Sequence, residues 1–215
     1  RSESRDWRRG GGHTGGVGAM ITKAWRGIDA PRLPLRSPRP ARRLGTRNAA
    51  TSSRSDLDLL IDAANTKLVE PVEVRKALER VRQAGGVDAL PVPLEAVDGA
   101  WELVFSTAPP LEALHYIPVY ELAVYNATEL TTELRSELGP LEFAFKGSFT
   151  FDAASSSLAF SYSTLEISLF RLGPFVFDRE PKPNVYEFYH CGDGILCAHS
   201  RGAGAETLLR KLPST

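Results

Sequence analysis

Apolar residues first recur at helical spacing. Leu57, Leu60, Ile61 and Ala64 fall on one helical face, and Val74, Ala77, Leu78 and Val81 on another. Ser55-Asp56-Leu57-Asp58 has capping-box spacing, which predicts that the first helix starts at Ser55. The second helix opens at Glu70-Pro71 and is expected to end at Gly85-Gly86. Both helices are short and need a partner surface. Pro91-Val92-Pro93 breaks the helical pattern.

Beyond Pro93 the period falls from about 3.6 to about 2 residues. Trp101, Leu103 and Phe105 alternate with Glu102, Val104 and Ser106. Residues 116–126 are rich in aromatic and β-branched side chains. Leu130, Leu134 and Leu138 suit a strand or a helix, and the strand is the reading adopted. Phe143, Phe145, Phe149 and Phe151 share a face interrupted by Gly147, a position suited to a bulge or bend. Leu158, Phe160, Tyr162 and Thr164 share another. Segments 175–177, 185–190, 195–199 and 206–211 complete the set, with a tight hairpin at Cys191-Gly192-Asp193-Gly194. Eight to nine strands with short turns predict a mainly β domain: an antiparallel β-barrel preceded by two short α-helices. A barrel of about eight strands can pack solid or hold one small ligand.

Charge divides the chain. Residues 1–55 carry 13 Lys/Arg against three acids, and residues 56–215 carry 13 against 23. The basic part, 1–55, holds few large apolar residues and is expected to be a disordered leader. From Met20 to Ser55 it is basic, hydroxylated and nearly free of acids, the character of an organelle transit peptide starting at Met20. Cleavage is expected near Arg47–Thr51. Residues 56–215 suit one compact domain. Its acidic balance argues against nucleic acid as the main partner. No apolar run approaches the roughly 18 residues of a membrane helix.

Catalytic motifs are weak. Ala198-His199-Ser200-Arg201-Gly202 imitates a nucleophile elbow but lacks the first glycine and lies in a strand pattern. His190, Cys191, Cys197 and His199 lack zinc-site spacing. No catalytic residue, metal or cofactor is expected. A lipid-modifying barrel enzyme would need an interior polar pair, such as Glu142 or Glu166 beside a Tyr or His.

Asp98-Gly99-Ala100-Trp101-Glu102-Leu103-Val104-Phe105-Ser106-Thr107 carries the Gly-x-Trp of lipocalin-like barrels. The segment resembles the G-x-W-x-L-x-[YF]-[ST]-T block of the plastid lipid-associated protein (PAP/fibrillin) family. Residues 59–63 and 74–81 resemble that family's leading helices, and Tyr186–Gly204 its closing hairpin. That hairpin departs from the family pattern: the first Arg is absent, and Asp193 stands further from Arg201-Gly202. The resemblance implies a lipocalin-like domain over 56–215, with Gly99, Trp101, Asp193, Arg201 and Gly202 as its structural signature. It places Arg201 across Trp101 by cation–π stacking.

The resemblance also implies a plastid (chloroplast) protein of the stroma, thylakoid surface or plastoglobule. Its ligand would be an apolar lipid, quinone or carotenoid, and its surface could meet a membrane or plastoglobule. Trp101, Phe105, Phe143, Phe145, Phe149, Phe160 and Tyr162 are the expected ligand-binding residues, lining an apolar interior. Leu165, Ile167, Leu169, Phe170 and Phe175 read first as core, with an apolar rim as the alternative. The rival to a lipid carrier is a scaffold with a protein partner, an accessory subunit for a plastid lipid- or prenylquinone-metabolising enzyme.

Overall fold

A computed structural model of the chain describes residues 47–88, 91–170 and 172–213. The expected leader up to residue 46, with most of its transit peptide, lies outside the described residues. Helix α1 spans Arg47–Thr66, α2 Pro71–Asp88, and a single turn, α3, Leu94–Val97. Nine strands follow: β1 Gly99–Ser106, β2 Tyr120–Asn126, β3 Thr131–Leu138, β4 Leu141–Asp152, β5 Ser157–Leu169, β6 Leu172–Asp178, β7 Asn184–Gly192, β8 Ile195–Ser200 and β9 Ala205–Lys211.

Two helix limits differ from expectation. The first helix starts at Arg47 instead of Ser55, because no Gly or Pro interrupts the chain between Gly45 and that serine. Asp56 is consequently no terminal charge. It is buried and takes a bidentate bond from Arg80 on α2, with Nε 3.0 Å from Oδ2 and Nη2 2.7 Å from Oδ1. The second helix runs through Gly85-Gly86 to Asp88. Each glycine costs about 1 kcal/mol in a helix, too little to end one, and the next proline is Pro91.

The nine antiparallel strands form one sheet in the order β4-β3-β2-β1-β9-β8-β7-β5-β6, and β4 also pairs with β5. That extra pairing brings the sheet round into a ring of eight strands, with β6 branching off β5. On its other edge β5 serves two partners in turn: Ser157–Phe160 pair with β7, and Thr164–Leu169 with β6. The Asp193-Gly194 turn has positive φ at both residues, as a two-residue hairpin of type I′ requires.

Two strand irregularities bear on the interior. Lys146 pairs with Thr164 but Gly147 with Tyr162, so Ser163 is an extra residue on β5. Leu158, Phe160 and Tyr162 therefore share a face with Leu165 and Ile167, and Thr164 turns to the opposite side. The irregularity expected at Gly147 is present as a bulge, although the added residue lies on the neighbouring strand. The second irregularity is on β1, where Leu103 pairs with Leu209 and Phe105 with Leu208, leaving Val104 extra. It moves Phe105 to the face opposite Trp101.

The outer face of β1, β8 and β9 receives the helices. Leu60, Ala63 and Ala64 of α1 and Val74, Ala77, Leu78 and Val81 of α2 pack against Val104, Phe105, Ile195, Cys197 and Leu208. Charge fixes this docking. Glu102, buried on the outer face, is held by Lys67 at 3.0 Å and by Arg210. Burial works against its charge, but those two hydrogen bonds outweigh it and lower the carboxyl's pKa. Arg82 of α2 reaches Glu206 at 2.8 Å and His199 Nδ1 at 2.9 Å.

A side chain at Gly147 has no room: its Cβ would stand 1.8 Å from the Ser161 carbonyl oxygen. Gly147→Ala should destabilise the protein by about 3 kcal/mol or more, because backbone must move on both strands. An unchanged urea midpoint would show that the β4–β5 corner is not tightly closed.

Candidate functional site

The inner face of the ring is closed at one end. Trp101 is 1% exposed, and its Nε1 donates to the Val97 carbonyl of α3 at 2.7 Å. Around it pack Ala123, Phe149, Leu158, Phe188, Leu196 and Leu209. Arg201, expected over Trp101, is exposed and donates through Nε to Glu187 at 2.6 Å. The cation over the indole is Lys211, with Nζ 5.0 Å from the ring. Register explains the exchange, since Lys211 lies directly opposite Trp101 on β9, whereas Arg201 sits in the turn after β8. Of the other signature positions, Gly99 begins β1 at φ 109°, Asp193 is an exposed turn residue, and Gly202 lies against Asn184.

Aromatic rings continue from this floor along the inner wall. Tyr125, Phe188, Tyr186, Phe160, Tyr162 and Phe145 form an unbroken series with centroids 5.2–6.4 Å apart. Most meet edge to face, the arrangement that aromatic quadrupoles favour. The Arg179 guanidinium covers Phe145, 5.0 Å from its centroid.

Six of the seven expected ligand-binding residues belong to the inner face. Trp101, Phe149 and Phe160 are buried there, and Phe143, Phe145 and Tyr162 keep partial exposure towards the other end. Phe105 does not belong. The Val104 bulge places it under the helices, edge-on to His115 and Tyr116. Near the open end Leu134, Leu165, Ile167 and Tyr186 also face inward and remain half-buried.

A carboxyl faces this interior as well. Glu121 pairs with Ser136 across β2 and β3, on the same face as Ala123 and Tyr125. Burial raises its pKa, partly offset by the Ser136 hydroxyl. Burial also pushes up the phenols, Tyr186 to about 12 and Tyr125 and Tyr162 upward likewise, so all three stay protonated at neutral pH. The Glu121 charge adds to that rise at Tyr162 and Tyr186. Sequence pattern does not reveal Glu121, because the aromatic-rich stretch 116–126 shows composition without strict alternation. The acids considered for the interior, Glu142 and Glu166, lie on the outer wall. There they border a cleft of about 230 Å³ with Glu133, Arg135, Glu137 and Lys146. Lys146 neutralises Glu166 at 2.8 Å, and Arg135 neutralises Glu133 at 2.7 Å.

The β5–β6 hairpin overturns the core reading of Leu169, Phe170 and Phe175. Phe170 is 72% exposed, Leu172 65%, Phe175 55% and Phe177 51%. Phe175 and Phe177 continue the face of Ile167 and Leu165, but β6 has no strand on its other edge among the described residues. The strand leaves the ring where the ring opens, so no described part of the chain covers it.

No protein-family model matches the chain, and no curated protein or solved structure is significantly similar to it.

Trp101→Ala should cost about 3–5 kcal/mol in urea unfolding, by removing the floor's largest side chain. Arg201→Ala, at an exposed ion pair, should cost about 1 kcal/mol or less. A Trp101→Ala protein as stable as the parent would remove the floor assignment. Glu121→Gln tests the interior carboxyl. Folding raises this pKa, so its contribution to stability is full below the unfolded value and lost as pH rises through the folded one. The variant should therefore melt above the parent at pH ~8 and level with it near pH ~4. Equal melting at both would mean that Glu121 is solvated.

Proposed function

We propose that the protein is a non-enzymatic lipid carrier whose ring is a lipocalin-like barrel of the PAP/fibrillin type. One observation carries this reading: the inner face is fully buried at Trp101, whereas Phe143, Phe145, Tyr162, Leu165 and Ile167 on the same face stay partly exposed. An apolar chain entering there would bury its surface against these side chains at about 25 cal/mol per Å². The ligand is an apolar lipid, quinone or carotenoid. The exposed β5–β6 hairpin suits the approach to a membrane or plastoglobule surface. The transit-like leader supports import into an organelle, and the PAP/fibrillin resemblance makes that organelle a plastid, with the protein in the stroma or at thylakoids.

The same hairpin favours a second reading. An apolar strand with a free edge is also a docking site for a protein strand. Under that reading the protein is a scaffold for an enzyme of lipid or prenylquinone metabolism.

Native mass spectrometry and solvent extraction of the full chain, after incubation with total plastid lipids, distinguish them. The carrier should retain one lipid class at near one molecule per chain. A lipid-free mass with circular dichroism unchanged would end the carrier reading and leave the scaffold.

A further inference from the structure

A ring built only to hold hydrocarbon would have hydrocarbon walls. This one sets three phenols and a carboxyl among its phenylalanines. Tyr125, Tyr186 and Tyr162 alternate with Phe188 and Phe160 in the aromatic series. They belong to β2, β7 and β5 and surround the interior. Tyr116, outside the ring, has its hydroxyl satisfied by the Val69 carbonyl at 2.7 Å. None of the three interior phenols has a backbone acceptor of that kind among the described residues.

A second, independent observation comes from β3. Thr132 faces inward opposite Tyr125 and is 3% exposed, yet its Oγ1 has no hydrogen-bond partner among the described residues. The Tyr162 hydroxyl is near enough for Thr132 to hold back part of that phenol's pKa rise, but the two do not close a hydrogen bond. A buried hydroxyl left unpaired is destabilising. Such a group is placed to receive a partner from outside the chain.

Charge narrows what that partner is. Among the described residues, the groups that shift the pKa values of Glu121, Tyr125, Tyr162 and Tyr186 are the Ser136 and Thr132 hydroxyls, Glu121 and the tyrosines themselves, and no described lysine or arginine is among them. An anion placed there would be desolvated beside a carboxyl without a counter-ion. An uncharged oxygen acceptor would instead meet several O–H donors at no charge cost. Arg179, the cation beside Phe145, is engaged with that ring.

We infer that Tyr125, Tyr162, Tyr186 and Thr132 form a hydrogen-bonding subsite inside the ring that selects an uncharged, carbonyl-bearing lipid over a hydrocarbon or a carboxylate of equal length. The inference rests on the carrier reading and adds the head group that the carrier recognises. Phenol and threonine hydroxyls donate to the carbonyl oxygen, and Glu121, beside Ser136, repels an anionic head. The opposite arrangement would seat a fatty-acid carboxylate at Arg179 with its chain inward.

The test offers the full chain an equimolar mixture of heptadecane, heptadecan-2-one and heptadecanoate. Retained probe is extracted after gel filtration and measured by gas chromatography. The ketone should exceed each competitor about tenfold, the effect of one or two net hydrogen bonds. The Tyr162→Phe/Tyr186→Phe protein, with its fold checked by circular dichroism, should lose most of the ketone preference, with Tyr125 and Thr132 supplying what remains. Glu121→Gln should keep the ketone preference and admit more heptadecanoate. Equal retention of ketone and alkane by the parent protein, or a preference for heptadecanoate, would overturn the subsite and leave the carrier standing. So would an undiminished ketone preference in the folded double variant. Retention of no probe would remove both readings together.

Discussion

The pairing of β4 with β5 is the contact on which the remaining structure depends. Without it the strands would form an open sheet with two ends. With it, each strand from β1 to β5 and β7 to β9 has one face towards a shared interior and one towards the outside. The pairing needs Gly147, because the Ser161 carbonyl occupies the space of a side chain. It also needs the extra residue at Ser163. That residue keeps the apolar positions of both halves of β5 on the inner face while the strand exchanges β7 for β6 as its neighbour. Closure, change of partner and the branching of β6 are one geometric event.

The outside of the ring is stabilised in a different way from its inside. Outside, helices α1 and α2 bury an aliphatic layer, pinned by Arg80–Asp56, Lys67–Glu102 and Arg82–Glu206. Each of these acids lies in a poorly solvated position, and each is matched by a cation. Inside, the carboxyl of Glu121 has no such match among the described residues and its pKa rises, whereas that of Glu102 falls. Two glutamates on neighbouring strands thus differ in proton affinity because one faces the helices and their cations, and the other faces aromatic rings. This contrast separates an acid held by the cations of the helix layer from one held among aromatic rings.

The interior changes character along its length. At the floor the large side chains around Trp101 are buried and the indole N–H is satisfied by α3. Towards the mouth the same inner face carries partly exposed side chains and then the uncovered residues of β6. The inner wall thus passes from packed to partly exposed along one continuous apolar face.

Much of this is legible in local pattern. The stripes Leu60/Ala64 and Val74/Ala77/Leu78/Val81, the alternation of β3 to β5 and the Asp193-Gly194 turn are set by periodicity and backbone preference within a few residues. The bulges at Val104 and Ser163 are not legible, because an inserted residue shows itself only against the strand it faces. Their consequences are hidden with them: Phe105 goes beneath the helices and Thr164 goes outside. Strand register likewise gives Lys211, not Arg201, the place over Trp101. Glu121 is the clearest case. Its residue type is ordinary for an exposed strand, and only closure of the ring turns it, with Tyr125, Tyr162 and Tyr186, towards a common interior. Local sequence decides which residues can alternate; the register between strands distant in the chain decides which of them meet.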